Sequence, residues 1–501
     1  MKQRAFIGAS VVSLLLSSTA LQAQVNPEQV WENWQSLSAS YGQSIETSGE
    51  TRQGDTLVVT GMSISQADGD VAVSGTLDEV RFRDMGNGTV EVTMSPRYPL
   101  TIETVNSMGD PVVVNLEISQ PNLRLVAGGT PTSTSYDFSA DSAGIATTSV
   151  IEDGEAIPVK VGVTLDRMSG TYLVSTRPDG VIDLSSSIST GNVTIAVAAS
   201  DAEQGSDVQV NATIAQLAAT SGGTFGGMMN MDNMAEALAA GFAADVALTY
   251  GALAYDMNIT EDGDPTAVRG KADGGRLGLT MDKTKLAYMG GARGVELVMS
   301  GAQIPFPEVA IRYAETAFDF LMPVSKGNAA QDFRLGVTLR DLSVSDEVWG
   351  MVDPMANLPR DPATLVIDAR GQATLTADLT DETAMSSGEP PGTLESINIP
   401  ALQIKIAGAE LTGNGALTFD NTDLETFGGM PAPTGAINLQ LVGGNALLDK
   451  LGAMGLIPQD QMMGARMMMG MFARPGNGPD TLTSTIEFKD KGFFANGMRL
   501  Q

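Results

Sequence analysis

The chain has 501 residues and contains neither histidine nor cysteine, which excludes disulfides, thiolate or imidazole metal sites and the commonest general base. Its 29 basic and 59 acidic side chains give a net charge of −30, a field that repels nucleic acids and opposes general adhesion to anionic bilayers. We therefore expect a protein that is not an enzyme, uses no cofactor or metal and binds no nucleic acid.

Residues 1–23 have the pattern of a secretory signal peptide. Two basic residues precede the apolar stretch Ala5–Leu16, which is shorter than the roughly 20 residues that a membrane-spanning helix needs. Cleavage after Ala23 is favoured over cleavage after Ala20 and over retention as a membrane anchor. No later segment is apolar over a comparable membrane-spanning length. We therefore expect a periplasmic protein that has no transmembrane segment after signal cleavage.

The segment 26–41 has the pattern of an amphipathic helix. Asn26 suits the N-cap, Pro27 suits the first turn, and Gln29 stands where a capping-box partner belongs. Its apolar residues fall on one stripe at helical spacing: Val30, Trp34, Leu37 and Tyr41. We interpret this segment as a helix that covers one end of a sheet, with a partner-binding helix as the alternative.

Most of the remaining chain alternates apolar and polar residues with the period of a β-strand. The clearest runs are Val90/Val92/Met94, Val112/Val114/Leu116/Ile118, Val161/Val163/Leu165, Val193/Ile195/Val197, Leu277/Leu279/Met281, Phe333/Leu335/Val337/Leu339 and Ile486/Phe488. Hairpin turns are predicted at Asp68-Gly69-Asp70, Asn87-Gly88, Asp179-Gly180, Asp262-Gly263-Asp264 and Asn414-Gly415. The predicted fold class is mainly β: a long antiparallel sheet, strongly twisted or curled into a trough- or sandwich-like shape, with a few short capping helices.

Further short helices are predicted at residues 230–242, 345–352, 445–454 and 459–473. Two phrases recur along the chain: Gly162-Val163-Thr164-Leu165 returns at 336–339, and Thr224-Phe225-Gly226-Gly227-Met228 returns at 426–430. Duplication and coincidence both account for this repetition. It suggests a boundary near residue 243, which divides the chain into a signal peptide (1–23), a helix-plus-β half (24–242) and a β-rich half with Met-rich helical segments (243–501).

The 27 methionines include two dense clusters. The first is Met228, Met229, Met231 and Met234, and the second is Met462, Met463, Met467, Met468, Met469 and Met471. Flexible core packing is the favoured interpretation, an adaptable apolar surface is the second, and a Cu(I) site is the third.

Four C-terminal phrases resemble those of a known family. They are Leu358-Pro359-Arg360-Asp361-Pro362-Ala363-Thr364-Leu365, residues 413–424, Met463-Gly464-Ala465-Arg466-Met467 and Phe494-Ala495-Asn496-Gly497. Together with the Val30-Trp31 helix after a signal peptide, they resemble a family of unknown function, numbered 2125, of exported proteins of Gram-negative bacteria. The resemblance extends over nearly the whole mature chain and implies no catalytic residues. The strand-after-strand layout is also similar to AsmA-like and YdgA-like periplasmic proteins, which implies a trough whose apolar inner face shelters lipid chains.

A one-layer sheet of this length has an apolar face that either a ligand or the protein itself must cover. We therefore predict a non-enzymatic protein that binds a hydrophobic ligand, expected to be a lipid, with a role in envelope lipid handling. The candidate ligand-binding residues are Val112, Val114, Leu116, Val193, Ile195, Leu335 and Val337. The alternative is an envelope structural or interaction protein with a closed core and no ligand, and a third class is a cofactor-free hydrolase.

Overall fold

The computed structural model describes residues 24–40, 42–201, 205–226, 229, 233–380, 386, 388 and 390–501. The predicted signal peptide lies outside the described residues, as do Tyr41, Met228 and Met231 and the start of the predicted 230–242 helix. Within the described ranges, no helix combines the length and apolar character needed to cross a membrane.

Five helices are described, and all of them coincide with predicted helical segments. They are α1 (Pro27–Ser40), α2 (Met234–Ala239), α3 (Asp346–Val352), α4 (Gly444–Ala453) and α5 (Gln459–Phe472). None is longer than 14 residues, so the helices can cover only parts of the sheet.

In the part of the chain that the structure describes, thirty strands form one antiparallel sheet, which confirms the predicted mainly-β fold class. In chain order the strands are β1 (Ser44–Glu46), β2 (Gly49–Gln53), β3 (Thr56–Asp68), β4 (Val71–Asp84), β5 (Val90–Met94), β6 (Arg97–Val105), β7 (Pro111–Ser119), β8 (Arg124–Thr130), β9 (Ser133–Glu152), β10 (Glu155–Ile157), β11 (Val159–Thr176), β12 (Val181–Ser189), β13 (Asn192–Asp201), β14 (Ser206–Ala215), β15 (Ala218–Gly226), β16 (Ala243–Tyr250), β17 (Leu253–Glu261), β18 (Asp264–Ala272), β19 (Gly274–Met281), β20 (Lys285–Gly301), β21 (Val309–Pro323), β22 (Gln331–Val344), β23 (Ala363–Leu375), β24 (Gly392–Ile406), β25 (Ala409–Asp420), β26 (Ala432–Val442), β27 (Arg474–Pro475), β28 (Thr481–Lys489), β29 (Gly492–Ala495) and β30 (Met498–Arg499).

Several long strands cross the full width of the sheet, and each pairs with two shorter strands placed end to end. β4 pairs with β5 and β6, β9 with β8 and β7, β11 with β12 and β13, and β20 with β19 and β18. Between β11 and β20 the sheet therefore runs as two lanes. Lane A is β12–β15–β16–β19, and lane B is β13–β14–β17–β18. After β20, strands β21 to β26 and then β28 follow in single file.

The two lanes meet along a line that we call the crease. Backbone hydrogen bonds connect successive strands along it: Gly191 N–H donates to Asp166 O (2.7 Å), Gln216 N–H to Gly191 O (2.6 Å) and Gly251 N–H to Ala215 O (2.7 Å). Residues with left-handed φ recur on the same line: Gly61 (59°), Arg167 (50°), Gln216 (53°) and Gly294 (60°). The sheet therefore changes direction at the crease without losing its backbone pairing.

The apolar alternation changes phase at the crease. In β4 the inward apolar position before the crease is Leu77, whereas those after it are Val80 and Phe82. Ordinary alternation would send these two sets to opposite faces, yet all three side chains belong to one buried cluster. Both sides of the crease therefore present their apolar side chains on one face of the sheet, which we call the groove face.

The most densely packed core lies where α1 covers the groove face at the N-terminal end. The predicted capping box is present: Gln29 N–H donates to Asn26 Oδ1 (2.9 Å), and Asn26 N–H donates to Gln29 Oε1 (3.1 Å). The ring centroids of Trp31 and Trp34 lie 5.8 and 5.2 Å from that of Phe82. Trp31, which the predicted stripe omitted, is buried because its indole N–H reaches Glu50 Oε1 at 2.9 Å while its ring packs inward.

The predicted turn at Asn414-Gly415 is wrong. Both residues lie inside β25, where Asn414 pairs with Asn438 and Gly415 pairs with Ile437 of β26. Side-chain atoms of Ile437 occupy the space that a side chain at position 415 would need. Pairing with strands on both sides therefore overrides the local preference of Asn-Gly for a hairpin.

The sheet continues across the predicted boundary near residue 243. β16 begins at Ala243 and pairs with β15, and β14 pairs with β17, so two ladders join the predicted halves. The division of the chain into two β-rich halves stays a prediction.

The close packing at the crease predicts that alanine at Gly61 destabilises the protein more than alanine at Gly54, although the two glycines have nearly equal φ. A Cβ at position 61 would lie 2.9 Å from the Ser48 Cβ, whereas a Cβ at position 54 (φ 63°) would meet nothing within 4 Å. We expect Gly54→Ala to lower the free energy of unfolding by about 1–2 kcal/mol, through its left-handed backbone alone. Gly61→Ala should lower the free energy of unfolding by about 1–3 kcal/mol more than Gly54→Ala, because the crease leaves no room for the methyl group. Urea unfolding of both variants measures the difference, and equal costs would contradict the close packing at the crease.

Candidate functional site

The middle of the groove face carries a row of exposed large apolar side chains, which we call the central stripe. Its members are Val246, Leu277, Tyr288, Phe318, Leu335 and Ile404. Between 39% and 52% of each residue is exposed, so nothing in the described part of the chain covers them. Soluble protein surfaces rarely leave large apolar side chains exposed on neighbouring strands unless that surface binds something.

Register places the members of the central stripe beside one another. Leu277 pairs with Gly290, and Gly290 pairs with Phe318. A Cβ on Gly290 would meet the Phe318 ring and lie 3.0 Å from Leu277 Cδ2, so these two side chains meet over the glycine. Next to them, the rings of Tyr288 and Phe320 stack at 6.4 Å. The central stripe is therefore a continuous apolar surface.

At the N-terminal end, α1 covers the groove face and creates a water-poor environment. Burial raises the pKa of Tyr136 to about 12, although a hydrogen bond with Trp34 opposes this shift. Burial also raises the pKa of Tyr98. Beside α1 lies a pocket of 210 Å³ whose lining includes Leu37, Val174 and Ile182.

At the C-terminal end, α5 lies over the last strands of the sheet. A pocket of 330 Å³ separates the helix from the sheet, at the lower end of the size range of small-molecule sites. The sheet contributes Leu411, Leu439, Leu441, Leu482 and Ile486, and the helix contributes Met468, Met469 and Phe472. This lining is almost entirely apolar and suits a hydrocarbon chain.

A few polar contacts hold α5 in place, since none of its residues is fully buried. Its last carbonyl, Phe472 O, accepts hydrogen bonds from Ser484 Oγ (2.5 Å) and Asn496 Nδ2 (2.9 Å). Asn496 Oδ1 also accepts a hydrogen bond from Thr485 N–H at 2.9 Å. An ion pair between Arg466 and Asp449 joins α5 to α4. The pocket beneath α5 is therefore bounded by a helix that contacts the sheet lightly.

The opposite face of lane B is polar and ionic. Glu296 pairs with Lys271 (2.5 Å) and with Arg312 (2.7 Å), and hydrogen bonds from Lys271 and then Arg312 hold the pKa of Glu296 below its usual range. A pocket of 610 Å³ adjoins these side chains and the neighbouring Arg269–Glu308 pair. These charges pair with one another across strands, which explains the cluster without a ligand. In the part of the chain that the structure describes, no group of three or more acidic side chains is placed to hold a metal ion.

The seven predicted ligand-binding residues all lie on the groove face. Val112, Val114 and Leu116 lie on β7, Val193 and Ile195 on β13, and Leu335 and Val337 on β22. Leu116 and Val193 are buried, whereas Leu335 belongs to the central stripe. The structure therefore separates them along the groove, and their contact with a ligand stays a prediction.

Sequence reasoning missed several exposed groove-face residues. Tyr288 and Phe318 lie on β20 and β21, where glycines and charged residues interrupt the apolar pattern. Phe318 and Phe320 do alternate across Asp319, so the period-two signal was present there. Core packing was also the wrong interpretation for Met463, Met467 and Met471, which are about half to two-thirds exposed.

Comparison with known proteins gives a family match over part of the chain. Residues 291–500 match the family model described as "Uncharacterized protein conserved in bacteria (DUF2125)". The predicted family is confirmed over these residues. All four C-terminal phrases that carry the resemblance lie within the matched range, whereas α1 lies outside it. The similarity to AsmA-like and YdgA-like proteins stays a prediction.

Two further comparisons add no functional assignment. No curated protein matches the chain. Among solved structures, the crystal structure of BauA, the ferric preacinetobactin receptor from Acinetobacter baumannii, aligns at 8% identity over 91% of this chain and 78% of that chain. Its TM-score of 0.12 is too low to carry an argument about fold or function.

Two phrases of the DUF2125 region have structural roles. The turn that precedes the Leu358–Arg360 phrase closes on Asp353, whose carboxylate accepts hydrogen bonds from Leu358 N–H (2.6 Å) and Asn357 N–H (2.9 Å). Burial opposes ionisation of Asp353, but these backbone donors outweigh it and lower its pKa. The final phrase contains Asn496, which holds the end of α5. Asp353 therefore fixes the turn after α3, and Asn496 positions the C-terminal cover of the groove.

Asn496 allows a direct test of how α5 is held. Asn496→Gly keeps the left-handed backbone (φ 52°) but removes two hydrogen bonds, so we expect amide exchange in α5 to rise by roughly tenfold or more. Asn122→Gly is the matched control, since Asn122 has φ 55° and its side chain bonds only to Asp141 at an exposed position. Hydrogen–deuterium exchange measures both. Unchanged protection of residues 459–472 in Asn496→Gly would contradict the anchoring role.

Proposed function

We propose that this protein is a periplasmic, non-enzymatic binding protein for a hydrophobic ligand, expected to be a lipid, which lies along the groove face. The observation that carries the proposal is the central stripe. It is a continuous apolar surface that remains exposed between two ends covered by α1 and α5. An export signal at residues 1–23 and a role in envelope lipid handling are parts of the same proposal.

The physical drive for binding is the removal of apolar surface from water. Each square ångström of apolar surface covered by a ligand contributes about 25 cal/mol before the costs of ordering are subtracted. An extended hydrocarbon chain matches the central stripe, because both are long, narrow and without hydrogen-bonding demands. The few polar groups on the same face satisfy one another, as in the Ser186–Ser221 hydroxyl contact of 2.8 Å. Binding would therefore select for chain character rather than for a particular headgroup.

The open form of the groove suits loading and release. A ligand on the central stripe can leave sideways without unfolding a strand, while a polar headgroup remains in water. The pockets of 210 and 330 Å³ beside α1 and α5 would receive the parts of the ligand that extend beyond the stripe. Such a site shields a hydrophobic molecule from water and releases it without a chemical reaction.

The alternative is an envelope interaction protein whose partner, and not a ligand, covers the central stripe. The closed core beneath α1 favours this alternative for the N-terminal end of the groove face. There, the protein alone fully buries Val30, Val80 and Phe82. The two functions differ in what accompanies the purified protein: a lipid in the first and a second polypeptide in the second.

Native mass spectrometry of protein purified from periplasm without detergent tests the proposal, with lipid extraction of the same sample. We expect near-stoichiometric phospholipid on the wild-type protein. The variant Leu277→Gln/Leu335→Gln places two amides on the central stripe and should lower lipid occupancy at least fivefold, because each amide would lose water without gaining a partner.

The matched control is Leu173→Gln/Met289→Gln. These two residues are exposed to a similar degree but point to the opposite face, since Leu173 pairs with Ser185 and Met289 pairs with Asp319. The control should keep wild-type lipid occupancy. A lipid-free wild-type protein, or equal loss in both variants, would remove the groove face as the binding site.

A further inference from the structure

The outer side of α5 carries an apolar row that we call the methionine stripe. It consists of Met463, Met467, Met468 and Met471, which are between 48% and 67% exposed. Met463, Met467 and Met471 recur every four residues on one side of the helix, and Met468 lies at the edge of this side, where it also lines the pocket. Leu456, in the turn between α4 and α5, is similarly exposed and extends the apolar surface beyond the helix. This row is separate from the central stripe, which lies on the sheet.

The fold has no need of the methionine stripe. The sheet side of α5 is provided by Met469 and Phe472, and the contact with α4 is provided by Arg466 and by Met462, which lies against Gly452. The polar residues of the helix are concentrated in its first turn, at Gln459, Asp460 and Gln461. The exposed methionines therefore form an apolar face that no described part of the chain covers.

The charge of the C-terminal end differs from that of the rest of the chain. Residues 445–501 contain six basic and five acidic side chains, whereas residues 1–444 contain 23 basic and 54 acidic ones. Within the described ranges, Lys450 and Arg474 have no carboxylate at ion-pair distance, whereas Arg499 Nε donates a hydrogen bond to Gln501 O at 2.8 Å. The methionine stripe thus lies in a segment whose own charges nearly cancel, unlike those of the chain as a whole.

We propose that this C-terminal end docks onto the surface of a phospholipid bilayer, with the methionine stripe entering the interface. An apolar helix face lying in the plane of the interface is a common mode of reversible membrane attachment, and nearby basic side chains favour anionic headgroups. The net negative charge of the chain repels such headgroups, and the near-neutral C-terminal segment weakens this repulsion where the methionine stripe lies. Methionine suits the role because its flexible side chain adapts to a disordered apolar environment.

The proposal rests on the methionine stripe and the charge distribution, and it does not require a ligand in the groove. It also distinguishes the two ends of the groove. The 330 Å³ pocket beneath α5 would lie next to the bilayer, so the C-terminal end would be the place where a hydrophobic molecule enters or leaves.

Vesicle co-sedimentation tests the docking. Vesicles of phosphatidylethanolamine and phosphatidylglycerol are mixed with the purified mature protein, and the bound fraction is measured at rising lipid concentration. The variant Met463→Gln/Met467→Gln/Met471→Gln keeps side-chain length and helix propensity, so α5 should stay folded, and circular dichroism checks this. We expect its partition coefficient to be at least tenfold lower than that of the wild type. Met468 is left unchanged because it also lines the pocket.

The matched control is Met108→Gln/Met351→Gln/Met355→Gln, which replaces three methionines that are more than 60% exposed elsewhere on the protein. It should bind vesicles like the wild type. Added salt and Lys450→Gln should each weaken binding to vesicles that contain phosphatidylglycerol, with little effect on vesicles of phosphatidylcholine alone.

Two results would overturn the proposal. One is vesicle binding by the methionine-stripe variant equal to that of the wild type, or no binding by either. The other is self-association of the wild type without vesicles that the variant abolishes, because a second copy of the chain would then be the occupant. Native mass spectrometry of the same variant keeps the two proposals apart: it should retain groove lipid at the wild-type level even where vesicle binding is lost.

Discussion

The structure depends on the continuity of backbone pairing across the crease. A sheet whose strands simply alternated along their whole length would place the apolar residues of β4 on both faces, since Leu77 and Val80 differ in parity. The left-handed residues at the crease shift the phase and keep the ladder intact, so one face collects the apolar side chains from end to end. Core, groove and exposed stripe all follow from that single adjustment, because each is a different part of the same face.

Alternation and capping signals were sufficient to predict most elements, because they are local. The capping box of α1 and the alternating runs of β7, β13 and β22 depend on neighbouring residues only. The crease was not predictable in the same way. Arg167 and Gln216 adopt left-handed φ although neither residue type favours it, so tertiary pairing imposes this conformation. The Asn414-Gly415 turn failed for the converse reason: a local signal was overridden by pairing on both sides.

The face of the candidate site was predictable, but its exposed part was not. Leu116 and Leu335 both stand in clean alternating runs, yet one is buried and the other is half exposed. The difference arises from the rest of the structure: the short helices cover the two ends of the sheet and leave the middle strands uncovered. Periodicity reports which side of a strand is apolar, whereas exposure depends on elements that are distant in sequence and too short to cover the whole face.

The two ends of the groove face are closed by different chemistry. At α1, two tryptophans pack against Phe82, which is fully buried, so rigid aromatic rings close that end. At α5, methionines face both the pocket and the solvent, no residue is fully buried, and the last carbonyl is held by two side chains. A flexible thioether lining can accommodate chains of different lengths, whereas a close-packed aromatic core cannot without losing contacts. The near-neutral C-terminal segment lies at this same end, so under the proposed function α5 is the end at which the groove would exchange its contents.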